Sequence, residues 1–184
     1  QKILDEHHSD IKIISKIENQ EGVDNIDEII HASYGVMVAR GDLGIEVPVE
    51  RIPGIQRNII RKCVEHHKPV IVATQMLHTM INNPRPTRAE VTDIANAIFQ
   101  SADAIMLSGE SAYGKYPAEA VNTMTRIATE TEKTIDVNLE LDLRKTQKPV
   151  AVVLAKSLVA ATLELPVKAI IFDTYTGRVG RYLR

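Results

Sequence analysis

Three things are scarce in this chain of 184 residues, and each scarcity excludes a class of protein. The first is an excess of charge of one sign. The 22 Lys and Arg residues nearly balance the 24 Asp and Glu residues, so the net charge is −2. That balance gives no electrostatic reason to bind nucleic acid or an anionic membrane surface. Long apolar runs are the second, since none approaches the roughly 18 residues of a membrane span. Residues 1–20 are too charged for a secretory signal.

Cysteine is the third scarcity. Cys63 stands alone and cannot form an internal disulfide, which fits a reducing compartment and predicts a cytoplasmic protein. The six histidines have no metal-ligand spacing such as HxxxH, so by themselves they indicate no metal centre. Hydrophobic residues make up 44 % of the chain, which is enough for a packed core.

Short apolar runs alternate with amphipathic helical patterns over the first three-quarters of the chain. The runs, each predicted to be a buried strand, are Ile11–Ile17, Gly35–Ala39, Pro69–Ala73 and Ala104–Leu107. The helical patterns lie at 23–30, 52–64, 87–98 and 117–128. This order predicts a parallel sheet with helices outside it. The pattern alone does not separate half of an eight-stranded barrel from an open doubly wound sheet.

The alternation ends after the fourth helical pattern. Residues 136–149 are polar or mixed and predict a linker between a first domain at 1–135 and a second at 150–184. Val150–Leu163 is apolar nearly all round and predicts a buried helix, and Lys168–Phe172 predicts a strand. We expect the second domain to be the truncated start of an α/β domain.

Polar residues cluster at the C-terminal ends of the predicted strands, where active sites lie in both architectures. On the first strand, Ile14, Lys16 and Glu18 share one face because side chains alternate. A Lys and a Glu at the mouth of a buried strand favour a functional site. The alternative is a salt-bridged pair that caps the strand.

Asp42 comes just after the second strand, between Gly41 and Gly44. The glycines permit a tight turn in which backbone N–H groups approach an anion. Glu18 and Asp42 on neighbouring strand ends predict a Mg²⁺ site, because Mg²⁺ takes one or two carboxylates and leaves its other positions to water and substrate. The alternatives for Asp42 are an ordinary turn residue and, far less favoured, part of an Arg-Gly-Asp adhesion loop.

Hydroxyl groups stand at the ends of the third and fourth strands. Val70, Val72 and Thr74 share a face, which predicts that Thr74 offers its hydroxyl to the same pocket. Ser108 and Glu110 share a face after the fourth strand. A single hydroxyl is more often a local backbone cap, so the prediction depends on four strand ends converging.

The segments that carry these residues resemble the pyruvate kinase family in order and spacing. They are Ile11–Val23, Met37–Gly44, Ala73–Met76, Arg85–Glu90 and Met106–Glu110. The resemblance is almost continuous over 1–135 and weaker over 150–184. His78-Thr79 departs from it by replacing an acidic and a small residue.

The resemblance implies a role for each candidate residue. Lys16 stabilises the phosphoryl group in transit, and Ser108 belongs to the relay that protonates the enolate. The full implied set is Lys16, Thr74 and Ser108 for catalysis, Lys16, Ala39, Arg40, Gly41, Asp42 and Thr74 for the substrate, and Glu18 and Asp42 for Mg²⁺ or Mn²⁺. Transfer of a phosphoryl group needs positioning and charge neutralisation, which a metal and a Lys supply.

The resemblance also implies a larger enzyme. Residues 1–135 correspond to strands five to eight of a (β/α)₈ TIM barrel, followed by the start of an α/β C-terminal domain. The implied reaction is phosphoenolpyruvate plus ADP giving pyruvate plus ATP, in cytoplasmic glycolysis, by a homo-oligomer that is a tetramer when complete. The K⁺ ligands and most nucleotide contacts are expected outside this chain, so we expect the chain alone to be inactive.

Two other functions stay open at this point. A Mg²⁺-dependent barrel lyase or aldolase that acts on pyruvate-like substrates also uses a Glu and an Asp on successive strand ends. It would not need the Ser-Lys-Ile-Glu-Asn or Ala-Thr-Gln-Met runs, both of which are present. A non-catalytic fragment that associates with itself is the other alternative, because a half barrel has two unpaired edges.

Overall fold

Four short strands form one parallel sheet in which each strand lies beside the next along the chain. The strands are β1 (Ile14–Ile17), β2 (Gly35–Ala39), β3 (Val70–Ala73) and β4 (Ala104–Met106). The computed structural model describes residues 2–135, 149–171 and 173. The chain divides into two compact units, Gln1–Ile135 and Asp136–Arg184, and the sheet belongs to the first. The predicted α/β class with a parallel sheet is confirmed.

Helices connect the strands of the first unit. They are α1 (Lys2–Glu6), α2 (Gln20–Asp24), α3 (Ile26–Ala32), α4 (Arg40–Glu46), α5 (Ile52–Glu65), α6 (Arg88–Phe99), α7 (Gly109–Ala112) and α8 (Pro117–Glu132). Two 3₁₀ helices lie at Val49–Arg51 and His78–Ile81. Parallel strands run in the same direction, so the chain must return to the start of the sheet between them. A tight turn is too short for that, and a helical crossover is needed.

The register of the sheet separates a core face from an open face. Ile17, Val38 and Val72 lie side by side and are fully buried. They join one hydrophobic cluster with side chains of α5 and α6, such as Ile59 and Ile94. Lys16 pairs with Met37 on the opposite face, where Lys16 is exposed. The alternation predicted for the first strand therefore places its charged residue away from the helical core.

Two strands begin later than predicted. The first begins at Ile14, directly after Ile13, whose carbonyl accepts from the N–H groups of Tyr34 and Gly35. Ile11, inside the predicted strand, is 70 % exposed. The third begins at Val70 because Pro69 has no N–H to donate, although its carbonyl accepts from Val36.

The helix predicted over 23–30 is two helices. Asn25 separates α2 from α3, and both its backbone and its side-chain N–H groups donate to the Glu21 carbonyl. The amide side chain competes with the next helical turn, which is the habit of Asn at helix ends. The capping box predicted from Thr87 and Glu90 is present at the start of α6.

The second unit contains α9 (Pro149–Glu164), which confirms the predicted helix. The prediction that this helix is buried is wrong for part of its surface, because Val150 and Leu154 are 71 % and 58 % exposed. Residues 168–171 form no strand, so the predicted strand at Lys168–Phe172 is wrong over these four residues. A strand needs a partner for its N–H and C=O groups, and the described residues of this unit provide none. Residues 136–148 of the predicted linker and Phe172 lie outside the described residues. Within the described part of the chain, no helix combines the length and apolarity needed to cross a membrane.

Glu90 joins the start of α6 to the 3₁₀ helix that precedes it. Its carboxylate accepts from the backbone N–H groups of Thr79 and Thr87 at 2.8 Å each, and from their hydroxyls at 2.6 and 2.9 Å. Partial burial by itself would raise the pKa of Glu90. The hydrogen bonds from both threonines outweigh that effect and hold the pKa below its ordinary value.

Replacing Glu90 with Gln should flatten the acid dependence of stability. A lowered folded-state pKa means that Glu90 stabilises the fold above its unfolded pKa of about 4.3. This contribution is lost as the pH falls through the folded-state value. At neutral pH, we expect Glu90→Gln to lower the free energy of unfolding by about 1 kcal/mol, the size of a lost helix cap.

Urea unfolding followed by circular dichroism, from neutral pH into the acidic range, measures both effects. Glu28→Gln is the matched control, because Glu28 also lies in the first turn of a helix, α3, and is exposed. Equal acid dependence in wild type and Glu90→Gln would contradict the assignment.

Candidate active site

Three charged side chains meet at the C-terminal edge of the sheet. The Lys16 ammonium lies 2.7 Å from Asp42 Oδ2 and also contacts Glu18 Oε2. Lys16 is on β1, Glu18 follows the same strand, and Asp42 lies in the first turn of α4 directly after β2. All three side chains are about half exposed, at 48 %, 46 % and 46 %. The structure therefore brings together three residues that the sequence predicted to be functional.

The two carboxylates change the acidity of Lys16. Its pKa is raised above the ordinary lysine value, first by the hydrogen bond to Asp42 and then by the bond to Glu18. Both anions favour the charged form of the amine. Lys16 is therefore a permanent cation at the edge of the sheet near neutral pH.

The predicted tight turn at Gly41 and Gly44 is wrong, because α4 begins directly after β2. Its first turn places the Asp42 carboxylate near the positive end of the helix, which favours an anion. The Gly41 N–H donates to Thr74 Oγ1 at 2.9 Å. A Cβ on Gly41 would lie 2.9 Å from that same oxygen, closer than ordinary contact, so any other residue here would displace the Thr74 hydroxyl.

The face predicted for Thr74 is also wrong. Val70 and Val72 point into the helical core, opposite to Lys16, and continued alternation would place Thr74 with them. The strand ends at Ala73, however, and Thr74 takes the left-handed conformation with φ 68°. This turn of the backbone carries the hydroxyl to the Gly41 amide. Thr74 reaches the site by leaving the strand pattern, because alternation applies only within a strand.

The Arg40 side chain bonds to protein groups near Thr74. Its Nη1 lies 2.8 and 2.6 Å from the two carboxylate oxygens of Asp93 on α6. Its Nη2 donates to the Thr74 carbonyl at 2.7 Å and lies 2.9 Å from Met76 Sδ. Only 10 % of the Arg40 side chain is exposed. Sequence reasoning missed Asp93, because nothing in helical spacing shows that a residue on α6 reaches a strand end.

Ser108 is close to Glu110 rather than to Lys16. The Ser108 N–H donates to Glu110 Oε2 at 2.9 Å, and the Leu77 N–H donates to Oε1 at 3.0 Å. Through these two bonds, the Glu110 carboxylate joins the segment after β3 to the segment after β4. Glu110 is 1 % exposed. Among the contacts of the described residues, none joins Ser108 to Lys16 or Thr74.

Glu18 and Asp42 both contact one cation, the Lys16 ammonium, so their carboxylates lie on neighbouring strand ends around a common point. Over the described part of the chain, no group of three or more His, Cys, Asp and Glu side chains is arranged for a metal. Two carboxylates suit Mg²⁺ or Mn²⁺ bound together with a substrate, whereas a structural zinc site needs four protein ligands.

A cleft of about 480 Å³ lies beside β1, next to this cluster. Its lining residues are Ser15, Lys16, Ile17, Asn19, Glu21, Gly22, Asn25 and Ile29. Lys16 belongs to it, but Glu18, Asp42 and Thr74 do not. The cleft is therefore adjacent to the charged cluster and is not the cluster itself.

Comparison with known proteins gives consistent results. The family profile described as pyruvate kinase, barrel domain, matches residues 1–121. A pyruvate kinase of Borreliella burgdorferi is 56 % identical over 175 residues, which are 95 % of this chain and 37 % of that protein. One of Clostridium acetobutylicum is 55 % identical over 183 residues, covering 98 % of this chain and 39 % of that protein.

A solved structure agrees with these sequences. The crystal structure of a pyruvate kinase from Cryptosporidium parvum superimposes with a TM-score of 0.85 at 47 % identity. The match covers 95 % of this chain and 36 % of that chain. The chain thus spans less than two-fifths of the length of each of these three relatives.

Removing either carboxylate should lower the pKa of Lys16. We expect Asp42→Asn to lower it more than Glu18→Gln, because the bond to Asp42 is the larger cause of the shift. A ¹³C NMR titration of the lysine ε-carbons measures the pKa directly. Glu46→Gln is the control, since Glu46 is on the same helix and bonds to the Gln20 N–H. Identical Lys16 titration in all three variants would show that the cluster does not form in solution.

Proposed function

The chain belongs to the pyruvate kinase family, and from that premise we propose that it supplies the catalytic cluster for phosphoryl transfer from phosphoenolpyruvate to ADP. The observation that carries the proposal is the meeting of Lys16 with Glu18 and Asp42 beside the Gly41–Thr74 bond. The family match favours this function over the lyase or aldolase alternative.

Glu18 and Asp42 would hold the metal, Mg²⁺ or Mn²⁺. Bound there, the metal supplies positive charge to the phosphoryl and enolate oxygens. The two carboxylates provide hard oxygen ligands on neighbouring strand ends, and their shared contact with Lys16 supports a common binding point.

Lys16 provides the second positive charge of the site. Its ammonium has three N–H donors and is held at the strand end by two anions that favour its protonated form. We assign it to the phosphoryl group in transit, where a fixed cation stabilises the charge that moves between oxygens.

The substrate carboxylate would bind the backbone at Ala39, Arg40 and Gly41, together with Thr74. The Thr74 hydroxyl accepts its bond from the Gly41 N–H, so its own hydrogen stays available to donate. A carboxylate oxygen of phosphoenolpyruvate or pyruvate is a suitable acceptor. Ser108 is proposed for the relay that protonates the enolate, on the strength of its exposed position after β4.

The finer assignments of the fold and partners are part of the same proposal. The four strands of Gln1–Ile135 are assigned to strands five to eight of a (β/α)₈ barrel, and 150–184 to the start of the C-terminal domain. K⁺ as a second cofactor, ADP and ATP as nucleotides, a homotetramer and a cytoplasmic location follow from the family. We expect the 184-residue chain by itself to show no turnover.

Pyruvate formation by the full gene product that carries these residues tests the function. We expect turnover of phosphoenolpyruvate that depends on ADP, on Mg²⁺ or Mn²⁺ and on K⁺, in an assay coupled to pyruvate reduction. Metal-dependent cleavage or condensation of a pyruvate-like substrate, with no ATP formed, would support the lyase or aldolase alternative instead.

The metal assignment predicts that Mn²⁺ affinity depends on both carboxylates. Glu18→Gln and Asp42→Asn should each weaken binding at least about tenfold, because each removes a charged oxygen ligand. Paramagnetic relaxation of water protons or calorimetry measures the dissociation constant. Glu21→Gln is the control, since Glu21 is an exposed carboxylate three residues after Glu18. Unchanged Mn²⁺ affinity in both site variants would refute the assignment.

Lys16→Met should affect the chemical step more than substrate binding. We expect kcat to fall about 10²- to 10³-fold, as for other preorganised groups that stabilise transition-state charge, with a much smaller change in KM. Steady-state kinetics separates the two constants. Lys12→Met, at an exposed lysine just before β1, is the control. A near-normal kcat with a raised KM would make Lys16 a binding residue only.

A further inference from the structure

The Arg40 side chain has an unusual position for a residue beside a proposed anion site. A guanidinium next to Gly41 would be well suited to bind a phosphate or a carboxylate directly. Instead, it is 90 % covered and its terminal nitrogens bond to Asp93 and to the Thr74 carbonyl. Its positive charge is therefore directed at the protein, not at a ligand.

The groups around Arg40 form a closed ring of contacts. The Arg40 Nη2 donates to the Thr74 carbonyl, and the Thr74 hydroxyl accepts from the N–H of Gly41, the residue after Arg40. Arg40 and Gly41, which are neighbours in the chain, thus bond to two groups of the same threonine, its carbonyl and its hydroxyl. Thr74 and Gln75 have φ values of 68° and 55°, which non-glycine residues adopt only when surrounding contacts compensate. The Arg40 bond to the Thr74 carbonyl is one such contact.

Asp93 completes the arrangement from a different helix. Both of its carboxylate oxygens lie within 2.8 Å of Arg40 Nη1, while Gln56 Oε1 is more distant at 3.5 Å. Asp93 is therefore the counter-charge of a nearly buried cation. Without Asp93, the positive charge of the guanidinium would have almost no anion to compensate it. An uncompensated buried charge moves toward solvent or toward another anion.

We propose that Asp93 is a positioning residue of this site, acting through Arg40 to hold the Thr74 hydroxyl against the Gly41 amide. Its importance for substrate rests on the proposed function, in which Thr74 and Gly41 bind the substrate carboxylate. Asp93 contacts Arg40, and Arg40 in turn contacts Thr74. Its effect is to fix the direction of the Thr74 side chain at the point where the strand pattern ends.

Amide exchange tests the positioning without any ligand. In Asp93→Asn, the Gly41 amide should exchange with solvent deuterium at least about tenfold faster, because its hydrogen bond to the Thr74 hydroxyl is weakened. A tenfold change corresponds to a free-energy loss of about 1.4 kcal/mol in that bond. The Val47 amide is the internal control, since it donates to the Leu43 carbonyl at the far end of the same helix. Unchanged Gly41 exchange would overturn the proposal.

Kinetics of the full gene product tests the consequence for substrate. We expect Asp93→Asn to raise KM for phosphoenolpyruvate about 10- to 100-fold, the effect of a small misplacement of a binding group. The loss in kcat should be smaller, because the carboxylate contacts are present in both ground and transition states. Mn²⁺ affinity should not change. A folded Asp93→Asn variant with normal KM would overturn the proposal.

Further variants separate positioning from general stability. Arg40→Lys keeps the charge but cannot bond to Asp93 and Thr74 together, so it should behave like Asp93→Asn, and the double variant should be no worse than either single one. Glu65→Gln, which breaks the exposed Arg61–Glu65 pair on α5, is the control and should change neither KM nor Gly41 exchange. Additive losses in the double variant would overturn the proposal.

Two outcomes need separate interpretation. If circular dichroism shows that Asp93→Asn is unfolded, Asp93→Glu and Arg40→Lys take its place. Asp93→Glu keeps the counter-charge and should keep Gly41 exchange close to the wild-type rate, whereas Arg40→Lys should speed it, and wild-type exchange in Arg40→Lys would overturn the proposal. If the wild-type gene product does not turn over phosphoenolpyruvate, the proposed function fails. The exchange result at Gly41 still decides the positioning.

Discussion

The common direction of the four strands is the constraint on which the rest of the structure depends. Because β1 to β4 are parallel and in register, their carboxyl ends lie along one edge of the sheet. Residues far apart in the chain, such as Lys16 and Asp42, are therefore neighbours in space. The helices that return the chain cover one face of the sheet with apolar side chains. The charged residues occupy the open face and the strand ends, where water and ligands have access.

The charged cluster contributes little to stability. Lys16, Glu18 and Asp42 are each about half exposed, and an exposed ion pair adds little to stability because solvent screens it. A salt bridge that only caps the strand would thus provide little benefit to the fold. Two carboxylates and a protonated amine at one point do, however, provide the charges that phosphoryl transfer requires. The exposed charges therefore favour a functional site over a strand cap.

Irregular backbone after the strands brings the remaining groups to the site. Thr74 and Gln75 adopt left-handed conformations, and α4 begins without the turn that its glycines suggested. Such conformations cost free energy and persist where neighbouring contacts hold them. Here the contacts come from Arg40 and, behind it, from Asp93 on α6. Arg40 is thus held by a helix that lies outside the charged cluster.

The sequence by itself determined the α/β class, the four strands, the long helices α5, α6, α8 and α9, and the placing of Lys16, Glu18 and Asp42 at one edge of the sheet. These features follow from local periodicity and from the alternation of side chains within a strand, and both can be read from neighbouring residues. Only the tertiary structure decided where Thr74 points, that Gly41 lies in a helix, and that Asp93 reaches Arg40. Those features depend on backbone angles beyond the strand ends and on the packing of α6 against the sheet. No local pattern encodes either one, because the contacts join residues that are distant in the chain.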